Sequence, residues 1–532
     1  MSPTNVTRRK FLSSSVAVAT VPLIGDAFAQ EQPKRGGRLR SIVNPEPPSL
    51  MMAINQLAPT FLVASKIYQG LLDYDFKLRP VPKLAESFDV SEDGLTYTFR
   101  LRKNVKWHDG QPFTSRDVVF TITEFLSKTH ARNRATFGRC KSIEAPDEST
   151  VVFTLSSPFP AFILGFDVTT SPMVPAHIYK GTDFAQNPAN ATPIGTGPFK
   201  LKEWAKGQYI HLVRNGDYWR PGLPYLDEIY FRIIPDGASR ALALESGEVD
   251  LTSSNDLEFI DIKRLSALPD IVTETRGWEF FAPHGFMEIN NRVKPLDDKR
   301  FRQAMMYAID RDFIKDKIWY GFGKVATGPI GSRTKFYDGN VPLYKPDLAK
   351  SRALLDEMGL KPDSDGIRAR VQLLQLPYGD TWVRTAEFIK QSLQRVGVRV
   401  DMETADTGGW LQREGNWDYQ LTLNLPYQFA DPALGVARTY VSSNIRKGVP
   451  HTNTVGYVNP KVDELFDKAS AAIDEGERQR LYSEVQRLLV EDVPIGWLLE
   501  LSFPTLHRKK FRNVVTTALG VTADFEETWI AG

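Results

Sequence analysis

A chain of 532 residues is too long for one hydrophobic core, so two or three domains are expected, each burying its own interior. With 42% hydrophobic and 24% charged residues and no low-complexity tract, the chain is not a disordered one. Its 66 basic and 64 acidic residues nearly cancel, which argues against nucleic acid or an anionic membrane as partner, and a single cysteine, Cys140, excludes an internal disulfide and any cysteine-based zinc cluster.

The first segment differs from the rest. Thr7, Arg8, Arg9, Lys10, Phe11 and Leu12 lead into an apolar run over 16–28 that closes on Ala27, Phe28 and Ala29, the pattern of a twin-arginine export signal cleaved after Ala29. Pro22, Gly25 and Asp26 interrupt the run, and it is too short to cross a hydrocarbon core about 30 Å thick. No cysteine stands at the cleavage site, so lipid anchoring is not expected, and loss of Arg8, Arg9, Lys10 and Asp26 takes the formal charge from +2 to zero.

Beyond the signal, 36–43 reads as a strand, 44–50 as a proline-punctuated loop and 61–72 as an apolar-patterned segment. Tyr97, Phe99 and Leu101 alternate with polar neighbours, the period of a half-buried strand, and 104–110 follows as a polar loop. Thr114 with Asp117 forms a capping box ahead of Val118, Val119, Ile122, Phe125 and Leu126, so a helix starts there. Asp297 or Asp298 caps a helix whose Phe301, Ala304, Met305, Ala308 and Ile309 make one stripe. Asp347–Met358 ending at Gly359 is another helix. Trp382, Ala386, Ile389, Leu393 and Val396 form a further stripe that stops at Gly397, and Val398, Val400 and Met402 then alternate as a strand. With helical pattern again over 462–490, the region 283–490 reads as an α/β domain. The strand candidate 418–425 runs into the loop 426–432, and ligands of open α/β sheets bind beyond strand carboxyl ends.

Six stretches in fixed order carry a resemblance: KLAESF (83–88), YTFRLRKNVKWHDG (97–110), IGTGPF (194–199), NGDYW (215–219), RFRQAMMYAIDR (300–311) and the export signal. Together they resemble the bacterial extracellular solute-binding proteins of family five, the oligopeptide, dipeptide and nickel type that serve ABC importers. The resemblance implies an α/β, periplasmic-binding-protein-like fold of two hinged lobes plus an extra domain. The first lobe would combine 36–50, 192–275 and 496–532, the extra domain would be 51–191, and the second lobe 276–495, with hinge strands near 276–281 and 494–497. It implies a periplasmic, monomeric, non-enzymatic receptor without cofactor or resident metal, which closes on a peptide-like or other small polar solute and delivers it to the membrane permease. Gly195, Gly197 and Pro198 suit a tight turn and lack the Lys-Ser/Thr ending of a phosphate loop, and His108 and Asp109 read as a turn rather than an acid/base pair.

One departure bears on the ligand. In peptide-binding members an acidic residue three positions ahead of an Asp-Pro or Glu-Pro pair grips the ligand's ammonium; here the pair is Asp431-Pro432, and Gln428 holds the earlier place, with Leu425 where a tryptophan is usual. A neutral amide cannot supply that charge-assisted bond, unless Asp431 or Glu46 substitutes. Trp278, Trp410, Tyr427, Gln428 and Phe429 are the remaining candidates, a lining suited to a blocked peptide, a modified amino acid, an opine or a short sugar. A periplasmic hydrolase is the rival of another class, but no Gly-x-Ser-x-Gly, His-Glu-x-x-His or Cys-His arrangement supports it. Direct nickel binding lacks clustered ligands, since His451 stands alone; a metal chelate is left open.

Overall fold

The computed structural model describes residues 31–253 and 256–532; the export signal lies outside them. Three sheets organise the chain. The first has seven strands in the order Ile271–Glu274, Thr505–Arg508, Leu251–Thr252, Arg38–Val43, Glu228–Ile233, Tyr209–Arg214, Phe199–Ala205. Arg38–Val43 and Glu228–Ile233 run parallel in its middle. The second has six: Lys324–Val325, Ile495–Glu500, His284–Ile289, Leu421–Asn424, Ala369–Leu374, Val398–Glu403. The third is an antiparallel sheet ordered Ala85–Val90, Thr96–Leu101, Thr150–Leu155, Cys140–Asp147.

The centre of the six-stranded sheet is covered on both faces, and its strands are apolar almost throughout for that reason. Every residue of His284–Ile289 and Ile495–Glu500 is buried. Alternation then deals side chains to two cores. Met287, Ile289 and Leu498 pack with Phe301, Met305, Ile389 and Leu393 of helices Lys299–Ala308 and Asp380–Gln394. Phe286, Ile495 and Trp497 pack with Leu465, Phe466, Val485 and Leu489 of helices Pro460–Ala471 and Glu475–Asp492 on the other side. The start signals act as their chemistry requires: Asp298 and Asp347 accept from the Arg300 and Lys350 amides, and Thr114 with Asp117 closes a capping box. The helix begun at Ser115 changes at Thr121 to a π-helical turn, Thr121–Leu126, where Thr123 donates back to the Val119 carbonyl at 2.7 Å.

The antiparallel domain is held by aromatic edges. Phe99, Phe137, Phe153, Phe162 and Phe166 form one cluster, with edge-to-face pairs Phe137–Phe166, Phe153–Phe162 and Phe99–Phe153 whose centroids lie 5.2 to 5.8 Å apart. The glycine motif joins it to the first sheet. Gly197 donates to the Ile67 carbonyl at 2.8 Å, and His108 Nε2 sits 3.0 Å from the Gly197 oxygen. A β-carbon on Gly197 would stand 2.5 Å from the Lys66 carbonyl oxygen and 2.6 Å from that of Ile67. Both neighbours are backbone, so Gly197→Ala is expected to cost about 1–3 kcal/mol or more through overpacking, read as a lowered urea midpoint. Asp109 pairs with His177 at 2.7 Å, away from His108's contacts.

The chain passes between the two large sheets twice. The first passage, 275–283, is turn and loop rather than the strand expected near 276–281; the second, 501–504, comes after Ile495–Glu500 has completed its pairing in the six-stranded sheet, a few residues later than 494–497. Trp278 Nε1 donates to the Phe503 carbonyl at 2.7 Å and ties the two passages together.

Candidate functional site

The loop that follows strand Leu421–Asn424 turns back along the first passage. His284 N donates to the Pro426 oxygen at 3.0 Å and Gln428 N to the Phe281 oxygen at 2.8 Å, framing a bridge between Pro283 and Tyr427. The result is an aromatic knot. Phe281 lies 5.7 Å from Tyr427, 6.3 Å from Phe429 and 6.1 Å from Trp278, centroid to centroid. Burial pushes the Tyr427 phenol up to about 12, so it stays neutral. Phe429 and Ala430 adopt φ of 48° and 65°, two successive left-handed residues that are not glycine. Such strain persists only where surroundings over-determine it. Here they do: Asp431 caps the short helix Pro432–Gly435 and pairs with Arg478 through both oxygens at 2.9 and 3.0 Å, while a β-carbon on Gly435 would collide with the Gln428 backbone.

The sequence candidates separate in space. Tyr427, Phe429 and, through Phe281, Trp278 come together. Gln428 turns away into the second domain, where all its hydrogen-bonding capacity is taken: Oε1 accepts from Gly331 N (2.9 Å) and Thr334 Oγ1 (2.6 Å), and Nε2 donates to the Pro329 oxygen (2.9 Å) and His284 Nδ1 (2.7 Å). Asp431 is 1% exposed and spent on Arg478. Trp410 is fully buried with its indole NH on Thr422 Oγ1 at 2.9 Å. Glu46 stands apart, accepting from Trp204 Nε1 at 2.8 Å and Gly207 N at 3.1 Å. As placed, none of these four offers an unfilled contact beside the aromatic knot.

Charges that the sequence did not single out surround it. Arg132, on helix Ala131–Phe137 of the antiparallel domain, lays its guanidinium over the Phe429 ring at 4.3 Å; Arg438, on helix Ala437–Tyr440 of the second domain, approaches the same ring at 5.9 Å. Burial pulls Arg438 down to about 10 and Arg132 adds to the effect; burial lowers Arg132 too, against the pull of Asp167. Behind Arg438 lies a carboxyl pair. Glu288 accepts from Asn424 Nδ2 at 2.7 Å and Thr454 Oγ1 at 2.9 Å, and Glu414 from the His451 amide at 3.1 Å. Burial, then Glu288, pushes Glu414 up to about 9, and burial raises Glu288 as well, while burial and Arg438 hold His451 down to about 4. Nothing marked Arg132, Arg438, Glu288 or Glu414 in the sequence, because isolated Arg and Glu read as solvated side chains.

This arrangement can orient polar and charged groups over an aromatic floor. Among the described residues no group of three or more His, Cys, Asp or Glu is placed to hold a metal ion, and no helix is long and apolar enough to cross a membrane.

Comparison with known proteins agrees with the fold. Residues 79–447 match the model of bacterial extracellular solute-binding proteins, family 5 Middle. The glutathione-binding protein GsiB of Pectobacterium atrosepticum is 30% identical over 460 residues, covering 84% of this chain and 85% of that one. The periplasmic binding protein DppA of Helicobacter pylori, solved with the peptide STSA, superposes with a TM-score of 0.79 at 26% identity, covering 94% of this chain and 99% of that one. AgaA from A. tumefacien R10, solved with agropinic acid, gives 0.76 at 26% identity, covering 93% and 99%. The chain belongs to the family 5 extracellular solute-binding proteins, periplasmic or extracellular as the family is, and is a non-enzymatic substrate-binding component of an ABC importer.

Proposed function

We propose that the chain, exported by the twin-arginine route and cleaved after Ala29, is a monomeric receptor that closes its two lobes on a peptide-like or opine-like solute and presents it to the permease. The strand membership supports a first lobe of 36–50, 192–275 and the C-terminal segment, an extra domain of 51–191 and a second lobe from 276, with the last boundary moved to just after Glu500. The observation that carries the reading is the strained aromatic loop Tyr427–Ala430, clamped from behind by Asp431, Arg478 and Gly435 and facing Arg132 of the antiparallel domain. Strain and aromatic area concentrated where two domains meet is the signature of a ligand clamp. The relatives solved with a peptide and with agropinic acid, and the one named for glutathione, support the solute class. Gln428, with its amide saturated, leaves no acid at that place for a free ammonium.

Native mass spectrometry of the protein from the periplasm tests this directly. A chain starting at residue 30 with one blocked, conjugated or opine-like compound is expected. A chain retaining its signal refutes the export reading, and a mixture of free-amine peptides refutes the Gln428 argument.

A further inference from the structure

A cleft of about 480 Å³ that shares no residue with the aromatic loop opens on the seam between the antiparallel domain and the seven-stranded sheet. Three separate stretches wall it. Arg102 and Asn104 come directly after strand Thr96–Leu101, residues 219–223 and Tyr225 from the loop between strands Tyr209–Arg214 and Glu228–Ile233, and Glu527 from the C-terminal segment. Its volume is that of a site for a small organic molecule.

The contacts across the seam fix one cation and leave its fork unused. The Arg102 guanidinium lies over the Trp219 ring at 4.8 Å and donates from Nε to the Lys83 carbonyl at 2.7 Å, while Asn104 Nδ2 donates to the Trp219 carbonyl at 3.0 Å. Among the described residues neither Nη group of Arg102 has a hydrogen-bond partner, and Arg102 forms no ion pair. Its neighbours are treated otherwise. Lys83 pairs with Asp524 at 2.8 Å and Glu526 at 2.6 Å, and Arg220 pairs with Glu526 and, at 3.2 Å, with Glu527 Oε1. On the facing walls, Glu527 Oε2, the Tyr225 hydroxyl and Asn104 Oδ1 are likewise without a partner among the described residues. Pro221 and Leu223 add apolar surface.

We infer that this cleft is a second binding site, for a free α-amino acid. The ligand's carboxylate meets the Arg102 fork, whose plane Trp219 and Lys83 have already set, and its ammonium meets Glu527 Oε2 and Asn104 Oδ1. The side chain lies against Pro221 and Leu223. A simple anion would be repelled by Glu527 and a simple cation by Arg102, so a molecule carrying both charges is the one that suits both walls. Because the walls belong to two domains, the bound ligand ties them together and raises the melting temperature. The cleft serves beside the solute site, whatever solute that site takes.

The test is equilibrium dialysis of the mature chain, 30–532, unfolded in denaturant to strip any carried solute and refolded, against leucine, leucinamide and N-acetylleucine. Leucinamide lacks the carboxylate and N-acetylleucine the ammonium, so each is expected to bind at least about tenfold more weakly than leucine. Arg102→Gln should bring leucine down to the level of leucinamide and leave leucinamide unchanged; Glu527→Gln should do the same toward N-acetylleucine. A purely structural role for either residue would move all three ligands together or none. The Glu527 side chain is 42% exposed, so Glu527→Gln is expected to fold and decides the site by itself if Arg102→Gln does not. Tyr427→Ala, in the aromatic loop, should leave leucine binding intact. No leucine bound at about 10 mM, or equal affinity for leucine and both analogues, overturns the inference. So does loss of leucine in Tyr427→Ala with full binding in Arg102→Gln and Glu527→Gln, which places the amino acid in the solute site and leaves the receptor reading standing.

Discussion

Replacing Asp431 by alanine should cost about 3–5 kcal/mol of folding stability, because it strands the Arg478 guanidinium in a site that is 3% exposed. Burial is the largest influence on that charge and works against it, but Asp431 and Tyr482 together hold Arg478 above its ordinary pKa. Arg478 would keep one hydrogen bond, from Nε to the Ala469 carbonyl at 3.0 Å, and lose both carboxylate contacts. The cap on helix Pro432–Gly435 goes with it. Urea unfolding at neutral pH measures the loss. Asp431→Leu combined with Arg478→Met should recover most of it, since removing both charges removes the desolvation problem. If Asp431 instead gripped ligand, Asp431→Ala would leave the urea midpoint unchanged and abolish solute retention; that result would return Asp431 to the binding site.

The second large effect is a loss of stability as pH rises. Glu414 carries a folded pKa of about 9 against an ordinary 4.5, so between those values the folded chain holds a proton that the unfolded chain has released. Stability therefore falls with rising pH across that window, by about 1.4 kcal/mol per pH unit for one such group, until the folded carboxyl ionises. Buried histidines act in the opposite sense and in a different range. His284 and His130 are pushed to about 3 and His108 and His451 to about 4, so their contribution grows with pH and is complete once the unfolded imidazoles, near 6.5, have lost their protons. Asp73 and Asp256, raised to about 7 by burial, lower stability with rising pH as Glu414 does, and their contribution ends about one pH unit above that value. Buried Lys66, held well below its ordinary pKa by desolvation, acts in the opposite sense in the same window, so the Glu288–Glu414 pair is isolated by comparing urea unfolding of the native sequence and Glu414→Gln at pH 7, 8 and 9. Glu414→Gln, which keeps the shape and removes the proton exchange, should flatten the slope, and an unaltered slope would show that Glu414 is ionised in the folded protein.

How far the sequence could be read depended on what kind of order was being encoded. The helix Lys299–Ala308, the pair Asp380–Gln394 with Val398–Glu403, and the Thr114 capping box lie within a few residues of where periodicity and caps put them, because those signals are local. The aromatic loop was legible as a place and not as a geometry. Alternation predicts which way a side chain points only in regular backbone, and two left-handed residues at Phe429 and Ala430 break it. Gln428 and Asp431 consequently face inward, where position in a motif put them at the ligand. Arg132 and Arg438 were invisible for a different reason: they lie 306 positions apart in the chain, and only tertiary structure brings their charges to one ring.

The bond between Trp278 and Phe503 has a mechanical consequence. Two separate connections between lobes would permit bending, shearing and twisting in several directions, each softening the approach of one face to the other. In the lobe closure proposed above, passages fastened to each other side by side would act as a single pivot, and the swing about it would be the cheapest motion left. A receptor that closed this way would meet its solute along one arc and would offer the membrane partner a docking face of reproducible shape, whatever the diffusional path by which the solute arrived.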